Sequence, residues 1–285
     1  MHWLFAPGLL ASAPVRQALL LGFLIALTAA VVGVFVVVRG QSFAGHALTD
    51  VATTGGAGAA LYGLTPLVGF LTGAVAGAGA MELIGRERAQ RRDVATGVVL
   101  GGATGLSGLF LYLSATTTSN TGVTQRVLFG SLFSVSSAMV PAALLIGALV
   151  LVVMAIVARP LLLSSVSPDI ATARGLSPLT LGLAFLLVAA TTVGLCALAI
   201  GSILSTALLI GPAAAALKVT RSLRSAIIVA SVLGVAATWA GIVLSYDSYT
   251  WRSSHQGLPV SFFVVILILL TYGLCAWRRA RSARV

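Results

Sequence analysis

Long apolar runs, broken only by short polar clusters, fill almost the whole chain. Runs long enough to cross about 30 Å of hydrocarbon can be drawn at roughly 17–38, 45–64, 66–85, 94–114, 139–158, 179–199, 202–219, 223–245 and 259–277. The 45–85 and 179–219 stretches are the hardest to divide, so eight or nine membrane-crossing helices are expected. The predicted fold class is all-α, a polytopic integral membrane helical bundle forming a single domain over residues 1–285.

Composition agrees with that pattern. Of 285 residues, 59% are hydrophobic and 8% charged, and the mean hydropathy is +1.08, so the medium around this protein is a bilayer. The net charge of +11 does not point to nucleic acid, because the basic residues fall in clusters between apolar runs. Arg86, Arg88, Arg91 and Arg92, Arg159 with Arg174, the Lys218/Arg221/Arg224 group and the 278–285 tail (Arg278, Arg279, Arg281, Arg284) are all expected on the cytoplasmic side. Nine spans satisfy every cluster, with the C-terminus inside, the N-terminus outside, and polar loops near 115–138 and 246–258 facing out. Residues 1–16 lack the basic n-region of a cleaved signal peptide and read as an interfacial segment, with Trp3 and Phe5 at headgroup level. Cys196 and Cys275 have no metal-type spacing and read as small packing residues. Gly69/Gly73/Gly77 and Gly97/Gly101/Gly105 recur every four residues, a stripe suited to close helix contact.

One segment of the second span, GHALTD, carries the candidate chemistry. His46 and Asp50 are one helical turn apart in an otherwise uncharged stretch, on one helix face, and together offer the N and O donors that suit zinc or manganese. An ionisable pair inside a membrane marks a functional site by default. The competing reading is a polar clamp, with Asp50 satisfied by His46 or by the hydroxyls of Thr53 and Thr54. Two donors are few for a metal, and a homodimer about a two-fold axis would double them to two imidazoles and two carboxylates.

A second segment, SPDIATARGLS (Ser167–Ser177), reads as a short cytoplasmic helix, capped near Ser167 and Pro168 and ended by Gly175. The only lysine, Lys218, follows Ala-Leu and not a glycine-rich loop, so the chain has no P-loop and no ATPase site of its own. There is no HExxH. His255 and Asp247 in the loop near 246–258, and Arg126 in the loop near 115–138, read as solvated loop residues.

From Thr172 onward the chain runs TARGLSPLTLGLAFLLVAATTVGLCALAIGSILSTALLIGPAAAALKVTRS, and here it resembles the permease subunits of zinc/manganese/iron-type binding-protein-dependent ABC importers, the ABC-3 family. Asp169, Gly175, Leu176, Gly201, Leu204, Ala207, Leu208, Leu209, Ile210, Pro212, Ala213 and Ala214 match that family's signature in order. VVVRGQSFAGHALTD and GIVLSYDSY extend the likeness over most of the chain. The resemblance implies a non-enzymatic transport subunit of a bacterial cytoplasmic membrane, working as a homodimer with a cytoplasmic ATPase dimer and an extracytoplasmic metal-binding protein. It also implies that 167–177 is the coupling helix, with Asp169, Arg174 and Gly175 at the ATPase, and that His46 and Asp50 line the metal path. No permanently bound cofactor is expected, and the divalent metal is cargo. The family usually carries Asp-x-x-x-His where this chain has the reverse, His46 then Asp50, so zinc is favoured over manganese only by the preference of imidazole for zinc, and iron stays open. Two alternatives remain: an ABC permease for a chelate such as a cobalamin or siderophore complex, and an ion-coupled secondary transporter in which His46 and Asp50 relay protons.

Overall fold

The computed structural model describes residues 12–84, 89–117, 121–130, 132–251 and 257–282. Trp3, Phe5, Arg86, Arg88, His255 and Arg284 lie outside the described residues, as do the side chains of Arg91 and Arg92. Hydrocarbon has no hydrogen-bond partner for a peptide group, so each apolar run must close its own backbone bonds. The described chain is accordingly helical: α1 (Ala13–Val38), α2 (Ser42–Leu61), α3 (Pro66–Ile84), α4 (Ala89–Thr117), α5 (Thr121–Phe129), α6 (Val140–Val166), α7 (Pro168–Ala173), α8 (Pro178–Ile200), α9 (Ser202–Val219), α10 (Leu223–Trp251) and α11 (Val260–Ser282), with a 3-10 turn at Leu132–Ser134.

Among the described residues, seven helices are long and apolar enough to cross a membrane: α1, α3, α4, α6, α8, α10 and α11. The expected spans at 45–64 and 202–219 are α2 and α9, and neither meets that standard alone. Gly, Thr, His and Asp dilute α2, and the apolar part of α9, Leu204–Val219, is short. Both are held by neighbours, α2 by α3 and α4, α9 by α1, α10 and α11.

Hydropathy alone does not say which helix is central, because lipid and protein interior are equally apolar. Burial does: 67% of the α1 span and 72% of the α8 span are buried, against 17% for α4. Small residues allow this crowding. Gly33 of α1 sits on the backbone carbonyl of Leu209 in α9, where a Cβ would overlap it. Gly55 of α2 meets Gly69 and Gly73 of α3 backbone to backbone, and Gly77 takes Val51, as the α3 stripe predicts. The α4 stripe behaves otherwise. Added Cβ atoms at Gly97, Gly101 and Gly105 meet nothing within 4 Å, because periodicity puts glycines on one face without saying that a helix covers it. Cys196 is fully buried and neither cysteine is disulfide-bonded.

The expected outer loops are largely helical. α4 runs to Thr117 and α5 occupies 121–129, with Arg126 in its last turn. α10 runs to Trp251, so Asp247 is a helix residue only 2% exposed, not a solvated loop group. Polar residues there misread as loop because their hydroxyls work inside the fold: Ser245 Oγ donates to the Leu258 carbonyl (2.6 Å), and Ser248 Oγ accepts from the Leu258 N–H (2.8 Å). At the other end, α1 begins at Ala13, so Ala13–Arg16 of the segment read as interfacial form its first turn.

α5 closes over the α8–α9 break, where Gly201 adopts φ 86° and ψ 162°, a region essentially reserved for glycine. Its Cβ would run into the backbone of Leu128 and Gly130, and Gly130, itself at φ 81°, faces Ala199–Gly201 in return. Gly201→Ala is therefore expected to cost about 2 kcal/mol or more and to lower the unfolding midpoint in detergent by about 5 °C or more. Gly101→Ala, in open space, should leave it unchanged or slightly raised. Equal melting curves for the two variants would refute this packing of α5 against the break.

Candidate functional site

The site is built on the first half of α2. His46 lies four residues beyond Ser42 and Asp50 eight, roughly 6 and 12 Å along the axis at 1.5 Å per residue. The i,i+4 spacing puts both on one face, near enough for their charges to interact. His46 is exposed and Asp50 half-buried. Across from them on α9, Thr206 Oγ1 lies 3.2 Å from His46 Nδ1 and donates to Thr49 Oγ1, also at 3.2 Å. Thr206 thus reaches from α9 to fix the imidazole, an outer-shell contact that sequence spacing does not reveal because 160 residues separate the pair.

The hydroxyl half of the clamp reading of Asp50 fails, and the pairing with His46 is what remains of it. Thr53 Oγ1 donates to the Thr49 carbonyl (2.9 Å), and Thr54 Oγ1 donates to the Ala103 carbonyl of α4 (2.8 Å) and to the backbone carbonyl of Asp50 (3.2 Å). Both are spent on backbone. Among the described residues the Asp50 carboxylate has no hydrogen-bond partner, and His46 Nε2 has none either, which leaves two donor atoms available to a cation. Among the described residues no group of three or more His, Cys, Asp or Glu is assembled that could hold a metal ion. One chain therefore presents two polar side chains, His46 and Asp50, with threonine hydroxyls around them.

Asp169, Arg174 and Gly175 stand apart from this pair, at α7, which packs on α6 and α8. Pro168 starts α7 at a position that needs no N–H, though the Ser167 side chain makes no capping bond. The helix ends as the sequence predicts. Gly175, at φ 75°, donates to the Thr172 carbonyl (2.9 Å) and Leu176 to the Ala171 carbonyl (3.0 Å), the paired bonds of a Schellman ending. Ala171 is buried, while Asp169, Ile170 at 50% exposure, and Arg174 face outward.

Sequence reasoning passed over Arg39. It closes α1 seven residues before His46, and its Nη1 donates to Ser165 Oγ (2.7 Å) and the Leu161 carbonyl (3.3 Å) in the last turns of α6, while its guanidinium lies 5.3 Å from the Phe185 ring centroid of α8. The end of α1, three residues before α2 begins, is thus tied to the helix that leads through Ser167 into α7. A bare arginine between two spans reads as a topology signal, so only the fold exposes this role.

The sequence profile described as the ABC 3 transport family matches residues 12–272. A comparison with curated proteins gives no match. Among solved structures, the chain is similar to PsaBC from Streptococcus pneumoniae in complex with Fab, at 24% identity over 94% of this chain and 92% of that one, with a TM-score of 0.77. It is also similar to a metal-chelate type ABC transporter in an inward-facing conformation, at 16% identity over 95% of this chain and 88% of that one, with a TM-score of 0.74. At these identities the two likenesses establish the fold.

If Thr206 orients His46, then Thr206→Val should weaken zinc binding to the purified chain by about ten-fold, the usual scale for an outer-shell partner, and move stability by no more than about 0.5 kcal/mol. Calorimetric titration beside a thermal melt checks both. Unchanged zinc affinity would remove Thr206 from the site.

Proposed function

The chain belongs to the ABC 3 transport family and is a membrane transport subunit of that family, and from that premise we propose that it is the permease of an ATP-driven importer of a divalent transition metal, zinc first and manganese next. The observation that carries this reading is the His46/Asp50 pair: two donors on one face of a membrane-embedded helix, with the carboxylate and Nε2 left without hydrogen-bond partners among the described residues. A carboxylate is costly to hold inside a bilayer without compensation, and a transient divalent cation supplies it. Imidazole with carboxylate suits zinc. ATP hydrolysis belongs to a separate cytoplasmic subunit, and an extracytoplasmic binding protein delivers the cargo.

Two donors per chain suit a cage completed across a two-fold axis by a second copy. The exposed flank of α2 at His46 and the uncovered glycine face of α4 leave room for one. In this reading, closure of the ATPase dimer displaces α7, α6 follows through Ser167, and the Arg39 bonds to Ser165 and Leu161 carry the shift to the start of α2. Access to His46 and Asp50 then alternates between the two sides, a population shift driven by differential contacts. A chelate permease draws support from the fold likeness to a metal-chelate type transporter, but a bare ion makes better use of two unpartnered donors.

Uptake by the reconstituted complex, with each metal competing against the others, tests the proposal. His46→Ala and Asp50→Ala are each expected to reduce uptake at least about 100-fold, the upper range for losing a metal partner, at equal amounts of inserted, ATPase-bound protein. The double variant His46→Asp/Asp50→His keeps both donors on one face and should retain part of the uptake with a shifted zinc-to-manganese preference. Near-normal uptake in both alanine variants would remove the site, and preference for a chelated metal over the free ion would favour the chelate reading.

A second test addresses coupling. Arg39→Ala and Gly175→Trp should each lower uptake together with substrate-stimulated ATP hydrolysis while zinc binding to the permease persists. The first removes the tie between the end of α1 and α6, and the second strains a left-handed turn by about 1–2 kcal/mol and adds bulk to an exposed face. Normal stimulation with normal uptake in both would make the 167–177 segment an ordinary connection.

A further inference from the structure

His46 has two ring nitrogens, and a neutral imidazole carries one proton between them. Which nitrogen keeps the proton decides what the ring can do, because a metal is bound by the nitrogen that lacks it. On the Nδ1 side the polar groups form a short chain of three contacts, each 3.2 Å long: His46 Nδ1 to Thr206 Oγ1, Thr206 Oγ1 to Thr49 Oγ1, and Thr49 Oγ1 to the Gly45 carbonyl. The chain ends on a backbone carbonyl, which accepts and has no proton to give. Three hydrogen bonds need three protons. The two hydroxyls bring one each, so the third comes from the imidazole.

The direction of every bond follows from that count. Thr49 donates to Gly45 and Thr206 donates to Thr49, so Thr206 Oγ1, its proton spent, accepts from Nδ1–H. The opposite polarity, with Thr49 donating to Thr206 and Thr206 donating to Nδ1, makes two bonds in place of three and leaves the contact with Gly45 unmade. Thr49 is only 1% exposed, so water does not make good that loss. On the far side of the ring, no hydrogen bond to Asp50 draws the proton to Nε2 among the described residues. We propose that Thr49 and Thr206 are positioning residues that hold the His46 proton on Nδ1, so that the neutral ring presents a bare Nε2 lone pair before a divalent cation arrives. This rests on the reading of His46 as a metal donor, and adds to it the atom that binds and the groups that prepare it.

Nitrogen NMR of the full-length chain in lipid nanodiscs, isotope-labelled at histidine and free of metal, reads the tautomer directly, because protonated and bare ring nitrogens differ widely in shift. The His46 signals are those lost in His46→Gln, and the pH is raised until the imidazolium signal is gone. The Nδ1–H form is expected to exceed the Nε2–H form by about five-fold, the bias given by one hydrogen bond. Thr49→Val releases the Thr206 proton, which can then turn to Nδ1, so the excess should fall to parity or reverse; Thr49→Ser should keep it. Zinc affinity, measured by calorimetric titration of the same chains, should fall by about two-fold or more in Thr49→Val, in step with the fraction of competent ring, and recover in Thr49→Ser. Circular dichroism checks folding, and Thr206→Val, which removes the acceptor itself, should also lower the excess and carries the test if Thr49→Val does not insert. A ring protonated chiefly on Nε2 in the unaltered chain, or a ratio that neither valine variant moves, would overturn the proposal. The spectra contain no metal, so a failed tautomer assignment leaves the uptake result for His46→Ala standing, and a failed metal reading leaves the tautomer ratio standing.

Discussion

Hydrocarbon gives a helix no reason to prefer a protein neighbour over a lipid tail, so this bundle depends on the places where backbones touch. Gly33 lets α1 ride on the Leu209 carbonyl, and Gly55 meets Gly69 and Gly73 between α2 and α3. Each contact replaces a side chain by dispersion along two backbones, the main attraction available in lipid. The rest follows from these approaches: α1 and α8 become the buried centre, and α2, too polar to be a convincing span by itself, is held where its His46 face stays open.

That placement decides what the polar residues of α2 can do. A threonine on a membrane helix usually returns its hydroxyl to the carbonyl one turn back, and Thr49, Thr53 and Thr54 all do so. With the Thr53 and Thr54 donors spent, no hydroxyl among the described residues bonds the Asp50 carboxylate. Thr206 contacts the His46 imidazole from a different helix. The half-site is chemically coherent and numerically incomplete, which is the arrangement a symmetric pair of chains would resolve.

The basic groups of the bundle differ in what they touch. Arg39, at the end of α1, is bound to α6 beside the entry to α7, whose outward face bears Asp169, Ile170 and Arg174. Lys218, Arg221, Arg278 and Arg279 surround a cavity at the ends of α9 and α11.

Several features could be read directly from residues. The all-helical membrane bundle, the His46/Asp50 pair on one helix face and the ending of α7 at Gly175 follow from local rules: run length against bilayer thickness, the 3.6-residue period, and the left-handed turn that glycine accepts. The reading went astray where the answer depended on a distant partner. Gly97, Gly101 and Gly105 looked as packable as Gly69, Gly73 and Gly77, yet only the second set meets a helix. Asp247 looked like loop, yet α10 continues through it and buries it. Arg39 and Thr206 carried no local signal at all, because their partners lie 122 to 160 residues away. Sequence by itself determined which segments are helices and which residues share a face, since both depend on neighbours within a turn or two; which face meets protein, lipid or an open path was decided only by tertiary structure, because in a bilayer all three can be lined by the same small and apolar residues.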